Sequence, residues 1–98
     1  MALLEISVIP IGTDNSSIGE IVTESCKTIE GKQLEYKITP TSTIIEGTLD
    51  DLLDIAKYMH SSPFKSGVDR VITSIKIDER HDKKSHMDEM IEEVIDKM

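Results

Sequence analysis

Few side chains in this sequence are of types that do chemistry: His60, His81, His86, Cys26, and the acids and hydroxyls spread along its apolar stretches. Imidazole is the usual general base and metal ligand. Here, though, His60 closes an amphipathic stretch, where a cation favours a helix dipole, and His81 and His86 stand among exposed charges. Cys26 is the only cysteine, which excludes an intrachain disulfide, a C-x-x-C redox pair and a cysteine-rich zinc site. It reads as a small buried hydrophobe. Glu89, Glu92, Glu93 and Asp96 recur at helical spacing opposite an apolar stripe and read as a solvated face. No histidine, cysteine or acid pair is spaced for acid–base work, so neither a catalytic residue nor a metal ligand is assigned and no cofactor is required.

The elements that position these groups follow from hydrophobic periodicity. Leu4, Ile6 and Val8 alternate with Glu5 and Ser7, a strand stopped by Pro10 and Gly12. Ser17 and Glu20 have capping-box spacing for a helix in which Ile18, Ile21, Val22, Ser25 and Ile29 face inward and Gly31 supplies a left-handed cap. Leu34, Tyr36 and Ile38 predict a second strand and residues 42–47 a third, joined by a tight turn at Pro40-Thr41. Thr48 is the expected N-cap of a helix burying Leu49, Leu52, Leu53, Ala56 and Met59. Val71, Thr73, Ile75 and Ile77 make a fourth strand. Met87, Met90, Ile91, Val94 and Ile95 make a last helix whose stripe fits core or subunit packing.

Strand, helix, strand, strand, helix, strand plus a helix is the split βαβ pattern of an α+β, ferredoxin-like βαββαβ sandwich with sheet order 4-1-3-2. A single domain over residues 1–98 is expected, with helices on one face and the first and third strands running the same way at the centre. Glu5, Ser7 and Ile9, with Ser42, Ile44 and Glu46, then occupy the open face. That arrangement brings Ser7 beside Glu46, an acid and a hydroxyl able to orient a small polar ligand. Cross-strand pairing of Glu5 and Glu46 with Lys37, Lys76 or Arg70 explains the same acids without a ligand.

The fold hosts many activities, so each must show its residues. The loop after the first strand, Gly12-Thr13-Asp14-Asn15-Ser16, lacks the cation that phosphate chemistry needs and the cysteine pair that copper carriage needs. Three aromatic residues, Tyr36, Tyr58 and Phe64, give no stacking platform for RNA. A formal charge of -8 repels phosphate backbones, so nucleic acid is not an expected partner. Neither an export signal nor an apolar run long enough to span a membrane is read, and the lone cysteine fits a reducing cytoplasm.

Three stretches, Ile6-Ser7-Val8-Ile9-Pro10-Ile11-Gly12, residues 39–47 from Thr39-Pro40 to Glu46-Gly47, and residues 70–80 from Arg70 to Arg80, resemble the thiamine-binding family of small ferredoxin-like proteins. The resemblance implies a non-enzymatic binder of thiamine or its hydroxymethylpyrimidine moiety, assembled as a homodimer or homotetramer through its sheets. The positions expected to meet that ligand are Ser7, Thr39, Ile44 and Glu46, with Ile9 and Ile72 as further aliphatic walls. The competing expectation is an oligomeric interaction or regulatory module with no small-molecule ligand.

Overall fold

A computed structural model describes residues 1–12, 17–82 and 86–98, and of residues 17–19, 21 and 22 the backbone alone. Four strands, β1 (Ala2–Ile11), β2 (Glu35–Ile38), β3 (Thr43–Gly47) and β4 (Arg70–Glu79), form one sheet in the order β2-β3-β1-β4. Helices α1 (Ser17–Gly31) and α2 (Leu49–Ser61) pack on one face, and α3 (Met87–Lys97) closes the chain. This is the expected ferredoxin-like architecture. The core lies between sheet and helices, built from Leu4, Ile6 and Ile45 on the strands with Ile29, Leu52 and Ile55 on the helices.

Every strand pair is antiparallel, β1 with β3 included, which corrects the expected common direction of the two central strands. The α1 crossover returns the chain so that β2 runs with β1, and the hairpin then reverses β3. Register pairs Leu3 with Glu46 and ends at Ile6 with Thr43, so Ser7 and Glu46 stand apart along β1 instead of side by side. The hairpin itself follows the sequence reading. Thr39 N–H donates to Ser42 O at 2.8 Å across Pro40-Thr41, and Thr39 Oγ1 accepts from the amide of Ser42 at 2.9 Å.

At the end of α1 the left-handed residue is Gln33, with φ 59°, and not Gly31. Leu34 N–H donates to Ile29 O and Gln33 N–H to Glu30 O, the paired bonds of a Schellman closure. That closure folds Leu34 back onto the core. It also explains Gly47, where a Cβ would stand 3.2 Å from a Leu34 methyl. The capping box at Ser17 and the inward side chains of Ile18, Ile21 and Val22 lie outside the described residues. In α2, Thr48 accepts from Asp51 N–H at 3.3 Å as expected, but Ile55 takes the buried place predicted for Leu53, which is exposed.

The last helix departs most from its periodicity. Met87 is buried, whereas Ile91, Val94 and Ile95 are exposed, so within one chain the stripe is not core. The radius of gyration, 14.5 Å, exceeds the roughly 13 Å usual for a domain of about 100 residues.

Two predictions follow from the α1 closure. Gln33→Gly relieves a side chain held at positive φ and should stabilise the protein by up to about 1 kcal/mol, read from urea unfolding. Tyr36 Oη donates to Glu30 Oε1 at 2.6 Å, joining β2 to α1. That bond, with partial desolvation and the Glu30 charge, raises the phenol to about 12 from an ordinary 10.0. Because the folded value lies above the unfolded one, the bond contributes fully below about pH 10 and is lost as pH rises through about 12. Absorbance titration at 295 nm should show a late phenolate step that Tyr36→Phe removes.

Candidate functional site: a cleft at the free edge of the first strand

β1 is ten residues long and β3 five, and the difference shapes the site. Beyond the Ile6–Thr43 pair, residues 7–11 of β1 keep β4 on one side but have no strand on the other. The β2–β3 hairpin stands opposite this free edge. Between them lies a cleft of about 400 Å³, a size that suits a small organic ligand. Its lining takes the consecutive residues 6–10 of β1. Successive strand side chains point to opposite faces, so a run of consecutive lining residues means that the strand edge itself forms the wall. That edge offers backbone N–H and C=O groups, save that Pro10 has no N–H to donate.

The remaining wall is the hairpin, residues 38–43, with Ser25 from α1 and Met59 from α2 as the inner end. Apolar surface dominates, and Ser7, Thr39, Ser42 and Thr43 add hydroxyls. Thr39 Oγ1 is largely engaged in holding the turn, accepting from two amides and lying 2.8 Å from Ser42 Oγ. Among the described residues, none that lines the cleft carries a formal charge. The cleft therefore suits a neutral, planar group that reads a donor and an acceptor together, and a phosphate or free carboxylate would find no counter-charge.

The four residues expected at the site divide into two places. Ser7 and Thr39 line the cleft, whereas Ile44 and Glu46 do not. Ile44 lies half-buried on the open face, opposite Glu5. Glu46 is buried, at 5 % exposure, and its Oε1 accepts from Met87 N–H at 3.1 Å and meets His86 Nδ1 at 3.1 Å. A strand carboxylate thus caps α3 from 41 residues away, where its charge complements the positive end of the helix. Lys37 Nζ reaches Asp88 at 2.8 Å beside it, and that contact raises the lysine above its ordinary value. Lys37 thus pairs with α3, not with Glu46.

The other reactive side chains also have structural partners. His60 Nδ1 lies 2.7 Å from Thr73 Oγ1, with its ring edge-on to Phe64. His81 meets Glu79 at 3.2 Å. Sequence reasoning missed Ser25, Met59 and the β1 edge as lining. The unequal strand lengths were visible in the alternation, and they were the signal that could have found the edge.

Comparison with known proteins places this geometry in a lineage. The thiamine-binding protein family matches residues 4–95. The UPF0045 protein YqgV of Bacillus subtilis is 42% identical over 96% of this chain and 94% of its own length. A UPF0045 protein of Methanothermobacter thermautotrophicus is 31% identical over the full length of both chains. Among solved structures, hypothetical protein MJ1052 of Methanocaldococcus jannaschii superposes with TM-score 0.83 at 31% identity, covering 95% of this chain and 94% of that one. A Thermotoga maritima protein with a candidate assignment to thiamine biosynthesis or salvage shares the fold, with TM-score 0.70 at 20% identity over 98% and 96% of the two chains. The class is a small ferredoxin-like α+β protein, and the chain belongs to the thiamine-binding protein family.

Removing the Glu46 carboxylate should loosen α3. Glu46→Ala leaves the Met87 amide and His86 without their acceptor, at a cost of about 1–3 kcal/mol. Hydrogen exchange should accelerate at the first-turn amides of α3, with β1–β4 amides unchanged. Equal protection of the α3 amides in both proteins would show that the cap is dispensable.

Proposed function

We propose that the chain is a non-enzymatic small-molecule binding protein that takes thiamine or its hydroxymethylpyrimidine moiety in the cleft between β1 and the hairpin. The observation that carries this reading is a mostly apolar cleft, with no charge among its described lining residues and a free strand edge along one wall. An aminopyrimidine presents a ring nitrogen acceptor beside an amino donor, and a strand edge presents the complementary pair. Family membership supports the ligand class. The overall charge of -8 draws the thiazolium cation toward the protein. Ser7 and the hairpin hydroxyls fix orientation, while Val8, Ile9 and Met59 supply apolar contact. Glu46 lies outside the cleft and holds the start of α3 instead. The unit we propose is one domain over residues 1–98, working in the cytoplasm as a homodimer or homotetramer. Among the described residues, no helix is long and apolar enough to cross a membrane.

Calorimetry with thiamine, hydroxymethylpyrimidine and an unrelated organic cation tests the reading. The first two should bind and the third should not. Ser7→Ala should weaken binding by roughly two- to tenfold, the worth of one neutral hydrogen bond, while Glu46→Gln should leave affinity near wild type. A larger loss in Glu46→Gln with α3 still docked would return Glu46 to the site. Absence of binding to either pyrimidine would favour an interaction module, for which the exposed stripe of Ile91, Val94 and Ile95 is the supporting feature.

A further inference from the structure

β1 turns only some of its peptide groups toward the cleft, and the sequence decides which. In a strand, alternate residues share both a side-chain face and the edge to which their N–H and C=O point. Leu4 and Ile6 lie in the core, Val8 packs against it and Pro10 is buried, whereas Ile9 is 52% exposed. Leu4, Ile6, Val8 and Pro10 are therefore one set, with a common edge. Pro10 identifies that edge. It sits opposite Val71 in a β1–β4 register that continues to Ile11–Arg70, and a proline is tolerated within a sheet where its nitrogen faces no strand. The set thus faces the β3 side, while Ser7, Ile9 and Ile11 face β4. Chirality agrees, because in a right-handed βαβ crossover the helix-facing residues of the first strand turn their peptide groups toward the side on which the next strand lies. β2, reached from β1 through α1, lies on the β3 side.

Ile6 uses its peptide groups on Thr43, where the β1–β3 register ends. What β1 then offers the cleft is Val8 N–H, Val8 C=O and Pro10 C=O. Of residues 7–11, Val8 alone presents a donor and an acceptor together on this side. An added peptide strand would need that pattern repeated at Pro10, where the donor is missing. Two groups that project from one residue suit a compact ring instead.

We infer that the main chain of Val8 is the specificity-determining reader of the cleft: its N–H donates to the ring nitrogen of an aminopyrimidine, and its C=O accepts from the adjacent amino group. Pro10 makes this the one such pair on the edge and closes the edge to strand addition. This role rests on the pyrimidine-binding reading above. It also fixes the order of poles along the wall, with the donor toward Ser7 and the acceptor toward Pro10. An oxo ring in its lactam form reverses that order and matches it only by turning over, which exchanges the substituents on either side of the recognised edge. A ring without the amino group leaves the Val8 carbonyl unpaired.

Amide-resolved hydrogen exchange by NMR tests the assignment. In the free protein the Val8 amide should exchange at least about tenfold faster than those of Ser7 and Ile9, which bond to β4. Saturating hydroxymethylpyrimidine should slow it by about tenfold or more and move its proton resonance downfield. In calorimetry, the lactam and desamino analogues should each bind about tenfold or more weakly than hydroxymethylpyrimidine, roughly the worth of one hydrogen bond. The desamino ring should still protect the Val8 amide. A Val8 amide as slow as its neighbours in the free protein, pyrimidine binding that leaves it unprotected, or equal affinity for the lactam would overturn Val8 as the reader while pyrimidine binding stands. Failure of both thiamine and hydroxymethylpyrimidine to bind would overturn the binding reading and the role of Val8 together.

Discussion

The structure depends on a mismatch in strand length at the centre of the sheet. β1 has ten residues, β4 matches it along its whole length, and β3 matches only half. A strand cannot leave polar backbone facing apolar side chains without a partner, because an unpaired buried N–H or C=O costs as much as a lost hydrogen bond. The far half of β1 therefore needs water or a ligand on the side that β3 vacates. The helices cannot close that gap, since it lies at the strand's edge and not on its face. The cleft follows from the pairing arithmetic of the sheet.

The same arithmetic explains how the polar residues divide. Glu46 sits near the end of β3, opposite Leu3 on β1 and Glu35 on β2, far from the unpaired half of β1. Two acids side by side on β2 and β3 are unfavourable unless one is given a strong donor set. The start of α3 supplies it with an amide and an imidazole. Satisfying this carboxylate and fastening the last helix are thus one event. Without Glu46, the polar ties from the α3 first turn to the sheet among the described residues reduce to the exposed Lys37–Asp88 pair, and an exposed ion pair contributes at most about 1 kcal/mol.

Where the sequence was legible, local chemistry and burial agreed. Alternation along Leu4, Ile6 and Val8 found the helix-facing side of β1. Thr48 found the start of α2, and Pro40-Thr41 found the turn. It was illegible where a long-range partner decided. Nothing near Glu46 in sequence announces a helix N-terminus 41 residues on. Gln33 took the left-handed position because closing the helix two residues past Gly31 lets Leu34 reach the core, and tertiary burial outweighed a glycine's conformational ease. The stripe of α3 was visible, but periodicity reports only that a face is apolar. It does not say whether the same chain covers it, and here the chain covers Met87 and leaves Ile91, Val94 and Ile95 exposed.

The two walls of the cleft are held in different ways. β1 belongs to a ladder paired with β4 over all ten residues, whereas the hairpin is the part of the cleft outside that ladder. One wall is thus fixed by the sheet, and the other rests on the turn bonds of Thr39 and Ser42. For any molecule seated between them, affinity should depend mainly on how firmly those two residues hold the turn across from β1.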